Sequence, residues 1–78
     1  MSKLLSLIQI LKENIGKTIL LRIRGNREIR CILRSYDAHL NLHVDDAVML
    51  ADDEQELSEE QLGQLIVRGD NVIFISPP

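Results

Sequence analysis

The sequence of 78 residues predicts a mainly β fold, in which one amphipathic helix precedes about five strands. Apolar residues recur at helical spacing near the N-terminus, and from residue 17 onward they alternate with polar residues, the period of a half-buried strand. A chain of this length forms one domain and buries only about 60% of its unfolded surface. Five short strands in so small a domain favour a curled, barrel-like sheet packed under the helix.

The predicted helix spans residues 2–12, with the sequence SKLLSLIQILK. Ser2 is in position to cap its N-terminus, and Lys12 lies near the negative end of the helix dipole. The apolar face consists of Leu4, Leu7, Ile8 and Leu11. A short helix with such a face covers an apolar surface elsewhere in the domain.

The first two strands are predicted on either side of a two-residue Gly25-Asn26 turn, because glycine in the first position suits a tight hairpin. One face of each strand is apolar: Ile19, Leu21 and Ile23 before the turn, and Ile29, Cys31 and Leu33 after it. A third strand is predicted to begin near Leu40 and to direct Leu42 and Val44 to the same side.

The C-terminal third holds an acidic segment and a second turn signal. Residues 51–64 contain six acids and predict an exposed loop, in which Ser58 and Gln61 are spaced for a capping box and one helical turn. This loop is either simply solvated or a surface for protein partners. Two apolar runs within residues 65–76 flank the tetrapeptide at 68–71, RGDN, which indicates another hairpin.

The charges are distributed unevenly around a net charge of -3. Residues 1–34 carry eight Lys and Arg against two acids, whereas the rest carries one Arg against ten acids. An acidic balance weighs against a protein that coats nucleic acid through phosphate attraction, but it is compatible with a small site that reads bases. The chain lacks a secretion signal and the ~20 apolar residues of a membrane span, so we expect a cytoplasmic protein.

Stability in so small a domain needs support beyond its core. Cys31 is the single cysteine, so no internal disulfide can form, and oligomerisation is the remaining usual support. The last apolar run, residues 72–75, has no charge or proline that would block edge pairing with another copy. Head-to-tail pairing of this kind closes a ring or continues as a fibre.

Neither catalysis nor metal binding is indicated. Cys31 is in register with buried positions and is expected to be a core residue rather than a nucleophile. His39 and His43 lie about 13 Å apart on a predicted strand, too far to share one ion. The acidic run DDEQELSEE lacks the spacing of a calcium loop. We therefore expect no enzyme activity, metal or cofactor.

Two long motifs resemble those of the Sm and Sm-like (LSm) family of RNA-binding ring proteins, especially archaeal members. The first is IGKTILLRIRGNREIRCILRSYDAHLNLHVDDA at residues 15–47, and the second is LGQLIVRGDNVIFISP at residues 62–77. The resemblance implies an N-terminal helix on a strongly bent five-stranded antiparallel sheet, an open barrel. It also implies a six- or seven-membered ring in which the fourth strand pairs with a neighbour's fifth strand.

The resemblance divides the single domain of residues 1–78 into four parts. These are the helix at 2–12, the first motif region at 17–50, the acidic loop at 51–64 and the second motif region at 65–76. In the family, the loop after the second strand and the loop between the last two strands meet at the central pore and bind uridine-rich RNA. By motif position, the RNA-binding residues are His39, Asn41, Arg68, Gly69 and Asp70.

The chemistry of these residue types suits base recognition. The flat groups of His39 and Arg68 can sandwich a base, and the Asn41 amide matches the uracil O4 acceptor and N3–H donor. Selectivity requires the amide to be held one way, and we expect Asp70 to do this by accepting an Asn41 N–H. Asp37 is expected to shape the loop by binding main-chain N–H groups.

Two positions depart from the family pattern. Cys31 stands where the family usually has glycine, at the bend of the second strand, so the bend must tolerate a small side chain. His43 stands where an aliphatic residue is usual, and no function is predicted for it.

The sequence thus predicts a non-enzymatic homo-oligomeric ring that binds single-stranded uridine-rich RNA in RNA processing or metabolism. Because few phosphates are neutralised per subunit, the salt dependence of binding is expected to be modest. The alternative is a structural or assembly subunit, also of a mixed ring, that acts mainly through protein partners at the acidic segment and binds RNA weakly or not at all.

Overall fold

The computed structural model describes residues 3–53 and 56–76, with side chains described for residues 6–50 and 59–76. The elements are α1 (Lys3–Glu13), β1 (Thr18–Ile23), β2 (Arg27–Tyr36), β3 (Leu42–Asp53), β4 (Glu56–Val67) and β5 (Val72–Ser76). The strands form one antiparallel five-stranded sheet in the order β4-β3-β2-β1-β5. The predicted fold class is confirmed, while the proposed Ser2 cap lies outside the described residues.

The core follows the alternation that the sequence displays. Its buried members among the described residues are Leu11, Ile19, Leu21, Ile29, Cys31, Leu33, Leu42, Val44, Ala47 and Val67. Burial of one large aliphatic side chain stabilises a fold by about 1.5–3 kcal/mol. Cys31 is part of this core, as predicted, and its burial raises the pKa of the thiol to about 11. At neutral pH it is therefore a protonated, inaccessible thiol.

The sheet bends at Cys31 without a glycine. The pairing of β2 with β3 shifts register between Arg30 and Ile32, and again between Leu33 and Ser35. Irregularities of this kind bend a strand and increase its twist. Cys31 lies at the first of these shifts and is buried in the core, so a small side chain is accommodated there.

The end of α1 is held by an asparagine. The Asn14 side-chain amide donates to the Ile10 carbonyl at 2.7 Å, and Asn14 itself is buried. Gly16 then takes a φ of 83°, and its N–H donates to the Leu33 carbonyl at 2.7 Å. These bonds satisfy polar groups at the helix terminus and join the helix exit directly to β2.

The first turn is one residue longer than predicted. Ile23 pairs with Arg27, so the connection between β1 and β2 consists of residues 24–26 rather than of two residues. Gly25 and Asn26 both have positive φ, 89° and 57°. The turn residues were identified correctly from the sequence, but two left-handed positions do not by themselves determine where the last cross-strand pair forms.

The prediction of a loop with a helical turn over residues 51–64 is wrong, because the described residues of this segment are strand. β3 and β4 have 12 residues each, and they pair from Leu42 and Val67 out to Asp53 and Glu56. A two-stranded ribbon beyond the core is held by its backbone hydrogen bonds. Acidic residues such as Glu59 and Glu60, which are exposed, are therefore compatible with strand structure there.

The second hairpin prediction is also wrong. Residues Gly69–Asn71 form a 3₁₀ turn, after which the chain crosses to the far side of the sheet, where β5 pairs with β1. β4 and β5 are consequently the two edges of the sheet. Both edges expose large apolar side chains, with Ile66 59%, Ile73 62% and Phe74 61% exposed. Edges of this kind are templates for pairing with another chain.

Candidate nucleic-acid interface

The crossover brings two loops into contact: the first loop, residues 37–41 between β2 and β3, and the second loop, residues 68–71 between β4 and β5. The Gly69 N–H donates to the Asn41 side-chain oxygen at 3.1 Å. A Cβ atom at Gly69 would lie 2.6 Å from the Leu40 carbonyl oxygen and 2.8 Å from that of His39. Glycine is required here because the two main chains approach so closely.

Asp37 organises the first loop from within. Its Oδ1 accepts the main-chain N–H groups of His39 at 2.9 Å and of Asn41 at 3.0 Å. The main chain adds a bond from the Leu40 N–H to the Asp37 carbonyl, with Leu40 at a φ of 61°. The hydrogen bond from the Asn41 main chain, followed by those from the Asn41 side chain and the His39 main chain, lowers the pKa of Asp37. These are the contacts predicted for a loop-shaping carboxylate.

Asp37 also holds the Asn41 amide, the role that was predicted from the sequence for Asp70. Asn41 Nδ2 donates to Asp37 Oδ2 at 3.1 Å, while Asn41 Oδ1 accepts the Gly69 N–H. Asp70 instead accepts from Arg68 Nη2 at 3.1 Å. The assignment to Asp70 is therefore wrong in this structure: Asp37 lies within the same tight loop as Asn41, whereas the 3₁₀ turn leaves Asp70 63% exposed in its side chain.

The amide has one orientation because both of its ends are engaged. If it flipped, the Asn41 NH2 group would face the Gly69 N–H, and its oxygen would face the Asp37 carboxylate, two repulsive arrangements. In the observed orientation one amide N–H and one lone pair of the oxygen have no partner among the described residues. The site thus presents one donor and one acceptor side by side.

All five residues predicted to bind RNA lie on these two loops. His39 is exposed on the first loop, and Arg68 is exposed on the second with 73% of its side chain accessible. Asp70 pairs with Arg68 at the surface, and an exposed pair of this kind contributes little to stability. The contact between Gly69 and Asn41 places the two flat side chains on neighbouring segments that both border the amide.

A third segment, which was not predicted from the sequence, contacts this site. The Arg24 N–H, in the turn between β1 and β2, donates to the Asn71 carbonyl of the second loop at 3.0 Å. The excess of basic residues before position 35 was visible in the sequence. No local pattern, however, could show that one of them docks against a loop more than forty residues away.

Other clusters lie apart from the two loops. His43 pairs across the sheet with Ser35 and Ile66, and it lines an open groove of about 490 Å³ beside the ion pair of Arg34 with Asp45. Among residues 3–53 and 56–76, no three His, Cys, Asp or Glu side chains converge as metal ligands would. None of the described helices is long and apolar enough to span a membrane.

Comparison with known proteins gives consistent matches over most of the chain. The family model of the LSM domain matches residues 9–77. A candidate snRNP Sm-like protein of Methanococcoides burtonii is 37% identical over 70 residues, which cover 90% of this chain and 93% of that protein. The SmAP1 heptamer of P. aerophilum superposes with a TM-score of 0.81 at 42% identity, covering 94% of this chain and 93% of that one.

A third match was solved with RNA. The Pyrococcus abyssii Sm protein in complex with a uridine heptamer has a TM-score of 0.76 and 32% identity, over 91% of this chain and 96% of that one. The resemblance to Sm-like proteins inferred from the two motifs is confirmed, and it supports the prediction that the chain is not an enzyme. The family match, the M. burtonii relative and the shared fold together show that this chain belongs to the LSM domain family of Sm and Sm-like proteins.

Proposed function

We propose that this chain binds single-stranded, uridine-rich RNA through the two loops, one nucleotide per subunit, at the pore of a homo-oligomeric ring. The observation that carries the proposal is the Asn41 amide, held in one orientation by Asp37 and by the Gly69 N–H. The P. abyssii relative was solved with a uridine heptamer, which supports RNA of this kind as the ligand. A role in RNA processing and a cytoplasmic location stay predictions.

In this proposal, the fixed amide favours uracil. The unpartnered N–H of Asn41 can donate to uracil O4, while its oxygen accepts the N3–H. Cytosine presents the opposite pattern on the same edge, and the amide cannot turn to meet it without losing both of its supporting contacts. His39 and Arg68 supply flat surfaces on which any base can stack, worth roughly 1–3 kcal/mol per base. Stacking therefore provides affinity, and the amide provides selectivity.

The ring forms by pairing the two open edges of the sheet. The β4 edge of one subunit adds to the β5 edge of the next, and this pairing covers Ile66, Ile73 and Phe74. Repetition of one head-to-tail contact closes a ring when the rotation between subunits permits it. The heptameric assembly of the P. aerophilum relative supports this arrangement.

The test is fluorescence anisotropy with heptamers of U, C and A, for the wild type and Asn41→Ala. We expect the wild type to prefer U7, and Asn41→Ala to bind U7 and C7 equally. Gln61→Ala is the matched control, since Gln61 is an exposed amide on β4 in the β3–β4 ribbon. Light scattering after gel filtration checks the assembly, and a species of 8.9 kDa would contradict the ring. A ring without preference for U7 would instead favour a subunit that acts through protein partners.

A further inference from the structure

The base-reading site carries the wrong charge for a nucleic acid. Asp37 and Asp70 contribute two carboxylates, and Arg68, paired with Asp70 at 3.1 Å, contributes one guanidinium. Hydrogen bonds lower the pKa of Asp37, so this carboxylate is ionised at neutral pH. Counting only the acids and the arginine, the two loops have a formal charge of -1, and each nucleotide that binds brings a further phosphodiester charge. A cation from another segment is needed beside the site.

The turn between β1 and β2 supplies one. The Arg24 N–H donates to the Asn71 carbonyl at 3.0 Å, and the Asn71 N–H donates to the Arg68 carbonyl at 3.0 Å. Two main-chain hydrogen bonds therefore connect Arg24 to the residue that is proposed to stack on the base. These bonds fix the Arg24 main chain beside the second loop and leave its long cationic side chain available.

Arg24 is an arginine of this turn region whose side chain is free to bind a ligand. Arg22 is paired with Glu28 at 2.6 Å, and Arg27 approaches the Met49 sulfur at 3.9 Å. The Arg24 side chain is exposed, and it makes no ion pair or hydrogen bond with the side chains that the structure describes, those of residues 6–50 and 59–76. An exposed guanidinium binds phosphate oxygens well, since its planar fork can donate two parallel hydrogen bonds.

We propose that Arg24 binds the phosphodiester adjacent to the base held by Asn41, and that this contact is indifferent to base identity. The inference rests on the proposed function, because it takes the base site as the anchor of the RNA. It assigns the two tasks to different segments: the loops select the base, and the β1–β2 turn offsets the charge of the backbone. In a ring, the contact would be repeated once in every subunit that holds a nucleotide.

The experiment is the salt dependence of U7 and C7 binding to the intact assembly. For single strands, the slope of log K against log salt falls by about 0.7 for each phosphate that is no longer neutralised, which is modest for one subunit and adds up to about 5 if seven subunits lose the contact. We expect Arg24→Gln to reduce the slope in this way and to weaken U7 and C7 binding by the same factor. Arg24→Lys, which retains the charge, should keep the slope of the wild type.

Arg30→Gln is the matched control, because Arg30 is likewise exposed and lacks an ion pair among the described residues, but lies opposite Leu20 further along the hairpin. Its slope should equal that of the wild type. An unchanged slope in Arg24→Gln, or an equal loss in Arg30→Gln, would overturn the phosphate contact. A changed ratio of U7 to C7 affinity in Arg24→Gln would also overturn it, since the residue would then act through the second loop. If the wild type shows no preference for U7, while Arg24→Gln still reduces the slope of log K against log salt, only the base-reading proposal fails.

Discussion

The two loops of the candidate site are built in opposite ways. In the first loop, one carboxylate, Asp37, accepts two main-chain N–H groups and the Asn41 amide. In the second loop, the polar side chains of Arg68 and Asp70 are 73% and 63% exposed and contact mainly each other. Hydrogen bonds within a compact loop fix geometry, whereas a solvated ion pair leaves its members mobile. We therefore propose that selectivity resides in the first loop and adaptable stacking in the second.

Separation of the two loops should have the largest effect on stability and on RNA binding. In Gly69→Ala, the new methyl group would lie 2.6 Å from a main-chain carbonyl oxygen, so the loops must move apart and the bond to Asn41 is broken. We expect a loss of about 1–3 kcal/mol in the free energy of unfolding, as for other overpacked sites. With the Asn41 amide displaced, each subunit also makes a poorer hydrogen bond to its base, a loss of about 0.5–1.5 kcal/mol that should weaken U7 binding about a hundredfold or more over a ring. Thermal unfolding and anisotropy measure the two effects.

Gly63→Ala is the control for this variant. Gly63 has a φ of 69°, and beyond its two chain neighbours no described atom lies within 4 Å of the position that a Cβ would occupy, so alanine there strains the backbone without pushing on the loops. It should reduce stability by about 1–2 kcal/mol and leave the preference for U7 unchanged. Equal losses of U7 binding in both variants would show that global stability, and not the loop contact, decides recognition.

A smaller effect, on base selectivity, is expected when the hydrogen bond from the Asn41 amide to Asp37 is altered. In Asp37→Asn, an NH2 group can face the Asn41 NH2 group, so the observed orientation loses its advantage over the flipped one. We expect the affinity ratio of U7 to C7 to fall about tenfold, which corresponds to about 1.4 kcal/mol. Competition anisotropy with the two oligomers measures this ratio directly.

Asp70→Asn is the matched control, because it makes the same chemical change on the other loop. Asp70 contacts Arg68 and not Asn41, so the ratio of U7 to C7 affinity should stay within about twofold of the wild type, as expected for loss of an exposed ion pair. A drop in selectivity equal to that of Asp37→Asn would contradict the division of roles between the loops.

The smallest effect is expected in the stability of the protein at acidic pH. The pKa of Asp37 is lowered in the folded state from its ordinary value of 3.8, chiefly by the hydrogen bond from the Asn41 main chain. A carboxyl with a depressed folded pKa contributes stability that is complete above the unfolded pKa and is lost as pH falls through the folded one. The stability difference between wild type and Asp37→Asn should therefore be constant above about pH 5 and shrink below pH 3.8. Chemical denaturation at a series of pH values measures it, and a difference that grows in acid would refute the assignment.

Sequence reasoning succeeded where the controlling interactions are local. Alternation of apolar and polar residues along β1 and β2 predicted the buried faces, including Cys31, because successive side chains of a strand point to opposite faces of the sheet. It failed for residues 51–64, where β3 and β4 continue as a ribbon stabilised by pairing between distant segments. Acidic composition indicates solvent exposure, and it was mistaken for the absence of regular structure.

The sequence by itself determined the helix, the strand-forming core and the two motifs whose residues form the candidate site. Only the tertiary structure decided that Asp37 and not Asp70 holds the Asn41 amide, and that Arg24 adjoins the second loop. The physical reason is distance: two aspartates are chemically identical along a chain, and a hydrogen bond of about 3 Å distinguishes them only after the crossover has placed the loops side by side.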